Sequence, residues 1–429
     1  MTKQERIILF LLAALNFTHF LDFMIMMPLD NYLIPVFKIS PKQFSFLVGA
    51  YSLTAAISGF LAALFVDKYD RKKVLLFAFA GFIIGTFSCG LAPSYNFLMA
   101  ARILTGIFGG LIGAQVLAIV GDIFTYERRG VAMGAVMSSF AIASIIGVPF
   151  SLYLTNLFNF NWHVPFILVG CIGVVLIGLV ARFMPPMKHH FEFLKKRESR
   201  FDALLKVARS SSQRLALLFT MLMMIGHFLI IPFINPYMEF NKGFSKNQTP
   251  MIYLVGGIAS FISAIWLGRI SDKLGKLRVF SFSVILSMFM VLGITNMPVL
   301  PYVLVLSFFA FWFALGTGRG VTAQAMVSNV VAPEQRGSFM TFNSSMQQLG
   351  TFIASIVAGY IVIEDKGKTG KIQRYDWVGY LSIAVLLASF FLARYLFSGM
   401  DKTKIIVKPG IPDTAELPVQ NTVSSEIQN

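Results

Sequence analysis

The sequence predicts an all-α membrane protein, with about twelve spanning helices in two six-helix halves. Three observations carry that reading. Of the 429 residues, 56% are hydrophobic and only 13% charged, about half the charged share of a soluble domain. The apolar residues fall in unbroken runs long enough to cross a hydrocarbon core of ~30 Å. Such runs exclude a β-barrel, whose strands alternate in polarity. The chain also repeats itself. His19-Phe20-Leu21 returns as His227-Phe228-Leu229, and Pro28 as Pro236, both 208 residues later. Glu127-Arg128-Arg129-Gly130 is answered by Glu334-Gln335-Arg336-Gly337 at an offset of 207, and Asp67 by Asp272 at 205. Parallel six-span repeats around a midplane site are a transporter architecture.

The runs lie at roughly 7–37, 43–66, 74–93, 96–124, 130–158, 163–184, 215–239, 249–271, 279–297, 301–331, 337–363 and 376–398. Most of the 36 Lys and Arg sit in segments that alternate with these spans on one side. Positive charge marks the cytoplasmic side, so both termini are expected inside. The net charge of +16 is thereby topology, and no nucleic-acid partner is expected. Residues 1–184 form the first half and 214–398 the second. Between them, 185–213 reads as a cytoplasmic linker with a surface helix, and Lys195-Lys196-Arg197 is a basic anchor that lipid headgroups can meet. Residues 399–429, polar and with Pro409, Pro412 and Pro418, read as a disordered cytoplasmic tail. No cleavable signal peptide is expected, because the run behind Met1 to Arg6 is too long for one. Cys89 and Cys171 both fall inside apolar runs and read as buried packing residues.

Asp22 lies near the middle of the first run. A carboxylate there is costly unless it faces a cavity or a partner, which makes it a functional candidate. The second half does not copy it, because Ile230 stands at the equivalent position. Asn16, His19 and Asp22 are spaced by three and fall on roughly one helix face. An imidazole ordinarily titrates near neutrality, which suits His19 to a proton relay, although a lone histidine in an apolar span is more often a satisfied hydrogen-bonding residue. His227 reads the same way. Arg319 and Gln324 in the tenth span, with Asn343 and Gln347 in the eleventh, make a polar set that either contacts substrate or joins helices. Asn235 and Met26 complete the cavity candidates, and Met24, Met27, Met221, Met223 and Met224 add soft side chains that suit a permissive cavity. No nucleophile, base and oxyanion site come together, so an enzyme is not expected. No phosphate-binding loop argues for an ATP-driven pump, and neither a cofactor nor a metal is implied.

Several motifs resemble the major facilitator superfamily, over nearly the whole chain. Its loop motif, Gly-x-x-x-Asp-x-x-Gly-x-Arg-Lys/Arg, appears as Ala63 to Lys73, with Ala63 and Asp70 at the glycine positions. Gly268 to Arg278 is a second copy that keeps both glycines. Arg102 followed by Gly106, Gly109 and Gly110 is similar to the fourth-span motif, and Gly134 to Gly147-Val148-Pro149 to the glycine-rich fifth span of efflux members. Together these resemble the drug–proton antiporter and sugar-efflux branch.

The resemblance implies the major facilitator fold and alternating access. It implies a multi-pass protein of the plasma membrane, the inner membrane of a bacterium, acting as a monomer. Asp67, Arg71, Asp272 and Arg278 would gate the cytoplasmic side. Asp67 would meet the start of the eleventh span and Asp272 that of the fifth, where helix dipoles favour an anion. The first and fourth spans would both line the cavity. Asp22 lies about 15 residues, roughly 22 Å, along the first span, and Arg102 about six residues, roughly 9 Å, from the opposite end of the fourth. In a core of ~30 Å these are similar depths, so a contact between them is feasible. The function expected is secondary transport, a proton-coupled export of a small organic compound. A sugar, metabolite or lysolipid carrier is the alternative, with a non-transporting receptor behind it.

Overall fold

The computed structural model describes residues 2–65, 69–124, 126–187, 209–331, 336–365 and 370–398. The linker helix expected within 185–213 and the tail at 399–429 fall largely or wholly outside them, as does Asp67. The chain is a bundle of long helices. α1 (Lys3–Ile25) starts on a capping box, in which Thr2 accepts from the Glu5 amide and Glu5 from the Thr2 amide. The first apolar run is not one helix. Pro28 lacks an amide N–H, and at Met27–Leu29 the ladder tightens to a 3₁₀ turn before α2 (Asp30–Phe37) resumes. α3 (Pro41–Phe65), α4 (Arg71–Gly90) and α5 (Tyr95–Ile123) follow, with Asp70 and Ser94 capping the last two. The fifth span is bent where the sequence places Gly147 and Pro149. α6 (Tyr126–Ile142) passes through a π-turn at Ala143–Gly147 into α7 (Val148–Leu157). α8 (His163–Phe183) completes the first half.

The second half opens with α9 (Ser211–Phe228), which breaks at Ile231–Phe233 and continues through Ile234–Pro236 to a π-turn at Tyr237–Asn241. The sequence repeat pairs Pro28 with Pro236, but the break itself centres on Pro232, one turn earlier. α10 (Thr249–Leu274), α11 (Lys276–Thr295), α12 (Tyr302–Ser328) and α13 (Arg336–Ile361) follow. A short hairpin, β1 (Ile363–Glu364) against β2 (Ile372–Gln373), leads into α14 (Tyr375–Phe397). Among the described residues, eleven helical segments are long and apolar enough to cross a membrane. α13 is long enough, but Asn343, Gln347 and Gln348 lower its hydropathy below theirs.

Packing within the first half relies on glycine where α5 lies on α3. A Cβ at Gly106 would strike Thr54 Oγ1 and come within 2.5 Å of the Tyr51 carbonyl, and one at Gly110 would strike Ser58 and the Ala55 carbonyl. Small residues thus set the approach of these helices. Cys89 is buried as expected, whereas Cys171 is exposed, because it lies on the outward face of α8. The two halves meet along α3 against α13, and along α10 against the π-turn and α7. At the end of the bundle distal to Lys3 and Phe397 they are tied by polar contacts. Asn235 Nδ2 donates to the Pro28 carbonyl (2.9 Å), and Asn156 Nδ2 to the Lys246 carbonyl (3.1 Å) and to Asn247 Oδ1 (3.0 Å). Lys246 Nζ lies 4.5 Å above the Tyr32 ring and Lys42 Nζ 4.0 Å above the Tyr360 ring. These contacts join the two halves at the distal end.

Candidate functional site

The depth match between Asp22 and Arg102 becomes a direct contact. Arg102 Nη1 donates to Asp22 Oδ2 at 2.8 Å, and both side chains have no solvent exposure. Thr86 Oγ1 on α4 donates to Asp22 Oδ1 at 3.1 Å. The Tyr51 ring on α3 faces the guanidinium at 4.7 Å. Four helices therefore converge on one ion pair: α1 brings the acid, α5 the base, α4 a hydroxyl and α3 an aromatic face. The arrangement is incomplete in one respect. Arg102 Nε and Nη2 and Tyr51 Oη are buried without partners. His19, one turn before Asp22, is also buried, and neither ring nitrogen has a partner. Its ring packs against those of Tyr51 and Phe82. Gly109 makes room for this group, since a Cβ there would lie 2.6 Å from Tyr51 Oη and 3.1 Å from His19 Nε2.

Asn16, His19 and Asp22 were expected on one face, but they serve three neighbours. A three-residue step turns 300°, so the set drifts around α1. Asn16 Nδ2 donates to the Val136 carbonyl of α6 at 3.2 Å, whereas Asp22 points to α4 and α5.

In the second half Arg319 on α12 meets His227 on α9, with Nη2 2.8 Å from Nδ1. The Trp312 ring tilts against the imidazole, with centroids 4.9 Å apart. The polar set nearby is joined through Gln324, whose Oε1 lies 3.3 Å from Gln347 Nε2 and 3.5 Å from Asn343 Nδ2. Gln324 is exposed and Gln347 half-buried, whereas Asn343 is buried. Two cavity candidates lie elsewhere. Met26 is fully buried in the core, and Asn235 sits in the distal seam, also accepting from Tyr253 Oη at 3.2 Å.

The gate candidates are dispersed. Arg71 is buried, and its Nε donates to Asp122 Oδ2 at 3.0 Å. Asp272 bonds Lys276 of the next helix at 3.1 Å with its side chain 66% exposed, and does not reach the fifth span. Arg278 is exposed at the start of α11. Sequence reasoning missed Thr86, Tyr51 and Asp122. It also missed two distal acids, Asp30 and Glu239, although the rule that singled out Asp22 applies to both. Asp30 is fully buried, and Glu239 accepts from Thr249 Oγ1 at 2.9 Å. These two acids and Lys246 share one electrostatic neighbourhood across the seam.

The model of the Major Facilitator Superfamily matches residues 11–323 and again 216–421. The chain is 24% identical to "Uncharacterized MFS-type transporter YceJ" of Bacillus subtilis (strain 168) over 79% of its own length and 85% of the relative's. It is 23% identical to "Multidrug resistance protein 2" of the same organism, over 84% and 90%. Among solved structures, that of a D-xylose-proton symporter superposes with a TM-score of 0.73 at 15% identity, over 91% of this chain and 97% of that one.

Proposed function

Because this chain belongs to the Major Facilitator Superfamily, we propose that it exports a small organic compound in exchange for protons, with Asp22 as the proton carrier. One observation carries the reading. Asp22 and Arg102 form a fully buried ion pair, and Ile230 replaces the acid in the other half. A purely structural pair has no reason to leave three neighbouring polar atoms unpaired. A carboxylate that alternates between Arg102 and a proton does, because its partners must rearrange during the cycle. In this reading His19, one turn earlier on the same helix, would pass that proton. The efflux direction draws on the glycine-rich fifth span and on the likeness to a multidrug resistance protein.

The test uses purified protein in proteoliposomes that enclose a pH-sensitive dye, with ethidium, benzoate and xylose as probes. At least one probe is expected to move protons against its own flux, and flux of every probe with no proton movement would defeat the proposal.

Topology and gating belong to the same reading, with both termini in the cytoplasm of a bacterial inner membrane and a monomer as the working unit. The distal end then faces outward. The cytoplasmic latch of Asp67, Arg71, Asp272 and Arg278 would engage only when that end opens, which requires Asp272 to leave Lys276. Cysteine labelling checks both points. Positions beside Lys73 and Lys402 should react from the inside and those beside Lys42 and Lys246 from the outside. Asp272→Asn should raise labelling at the inner ends of the fifth and eighth spans, and unchanged labelling would return Asp272 to a topological role.

A further inference from the structure

The second half buries a guanidinium with no counter-ion among the described residues. Arg319 is 2% exposed, and no carboxylate among the described residues pairs with it. Among the described residues its guanidinium hydrogen-bonds His227 Nδ1. A guanidinium only donates, so Nδ1 accepts and the imidazole proton sits on Nε2. His227 is half-buried, whereas Arg319 Nη1 and Trp312 Nε1 are buried with no hydrogen-bond partner among the described residues. Two unpaired buried donors thus belong to side chains packed on the His227 ring, and no acceptor among the described residues answers them. Gly316 leaves room beside this ring, for a Cβ there would approach Cε1 at 3.2 Å.

An unpaired buried cation costs several kcal/mol, and unsatisfied donors add to that. The first half shows how this chain meets such a cost, since the Asp22 carboxylate accepts from Arg102 and is itself held by Thr86. At the second site the acceptors are missing. Along their helices, Arg319 is about 25 Å from Tyr302 and His227 about 24 Å from Ser211, which puts both near the membrane midplane. A midplane receptor made of donors alone is complete only with an anion in it.

We propose that Arg319, His227 and Trp312 bind a carboxylate group on the transported compound, so that the substrate is an organic anion or zwitterion. This deepens the transport reading and rests on it for the word substrate. The site also adjoins the proton-carrying pair. Phe23, next to Asp22, and Phe228, next to His227, face each other across the seam with centroids 6.0 Å apart. Anion and proton would therefore be held in different halves, on two sides of the surface that slides in alternating access. Arrival of a negative group on one side can then alter the charge balance felt on the other.

The test is binding, not transport. Purified full-length protein is titrated with sodium benzoate, with its neutral analogue benzamide and with sodium phosphate, following tryptophan fluorescence and the unfolding midpoint. Benzoate is expected to bind and stabilise the wild type, and benzamide and phosphate to bind far more weakly. Arg319→Gln should weaken benzoate by about 30-fold or more, the usual cost of removing one side of a desolvated charge pair. Trp312→Phe, which keeps an aromatic side chain but removes the N–H donor, should weaken it several-fold and shows the site even if Arg319→Gln fails to fold. The measurement is of binding alone, so a failure of proton coupling would leave this result intact. Equal binding of benzoate and benzamide, preference for phosphate, no benzoate response at all, or an unchanged response in both variants would each overturn the proposal.

Discussion

Asp22→Asn protein should fold, bind substrate and exchange substrate for substrate, yet fail to drive it uphill with a proton gradient. Asparagine keeps the size of the side chain and one acceptor for Arg102 and Thr86, but it cannot gain or lose the proton. The exchange half-reaction needs only alternating access, whereas net transport against a gradient needs the empty carrier to return with a proton. The comparison is therefore internal to one preparation, with counterflow retained and proton-driven accumulation lost by at least about tenfold. Wild-type accumulation by folded Asp22→Asn protein would remove this residue from the coupling step.

Arg102→Ala is expected to be the more damaging substitution for the fold. It leaves Asp22 buried with Thr86 alone, and stranding one member of a buried pair costs on the order of 3–5 kcal/mol. It also removes the cation from the face of Tyr51 and opens a cavity between α3 and α5. The unfolding midpoint of the purified protein should fall accordingly. Adding Asp22→Asn to Arg102→Ala should recover much of the loss, since no charge is then stranded. A double variant as unstable as Arg102→Ala would mean that Arg102 supports the bundle by its volume and not by its charge.

The architecture was legible in the sequence because the bilayer imposes simple rules. Spans must be long and apolar, positive loops mark a side, and a duplicated chain repeats its turns. The same rules brought out Asp22, and counting residues along two antiparallel helices set Arg102 at its depth. What those rules do not contain is rotation about the helix axis. That is why Asn16, His19 and Asp22 separate, and why Met26 and Asn235 lie in a seam instead of a cavity. Thr86 and Tyr51 carry no signal of their own, since a threonine or tyrosine in an apolar span has many uses. Asp30 and Glu239 did carry one, since both fall within the apolar runs at 7–37 and 215–239, but only Asp22 lies near the middle of its run. The bond of Asp272 with Lys276, four residues on, likewise has no signal in the loop motif.

The polar character of α13 bears on how the protein is made. A helix enters the bilayer during synthesis according to its own apolarity, and α13 is poorer in this respect than the other spans. Its natural receptacle is α3, laid down nearly three hundred residues earlier. There Gly49 accepts Phe352 and Ile356, Gly359 lies on Ser45, and Phe60 meets Phe342 at 5.4 Å. With those surfaces in place the amide side chains can be shielded from lipid. Without them, hydrocarbon would meet Asn343, Gln347 and Gln348 directly. The ribosome thus releases this segment into a membrane where the first half must already be folded to receive it, and the seam that later slides during transport serves first as a template for assembly.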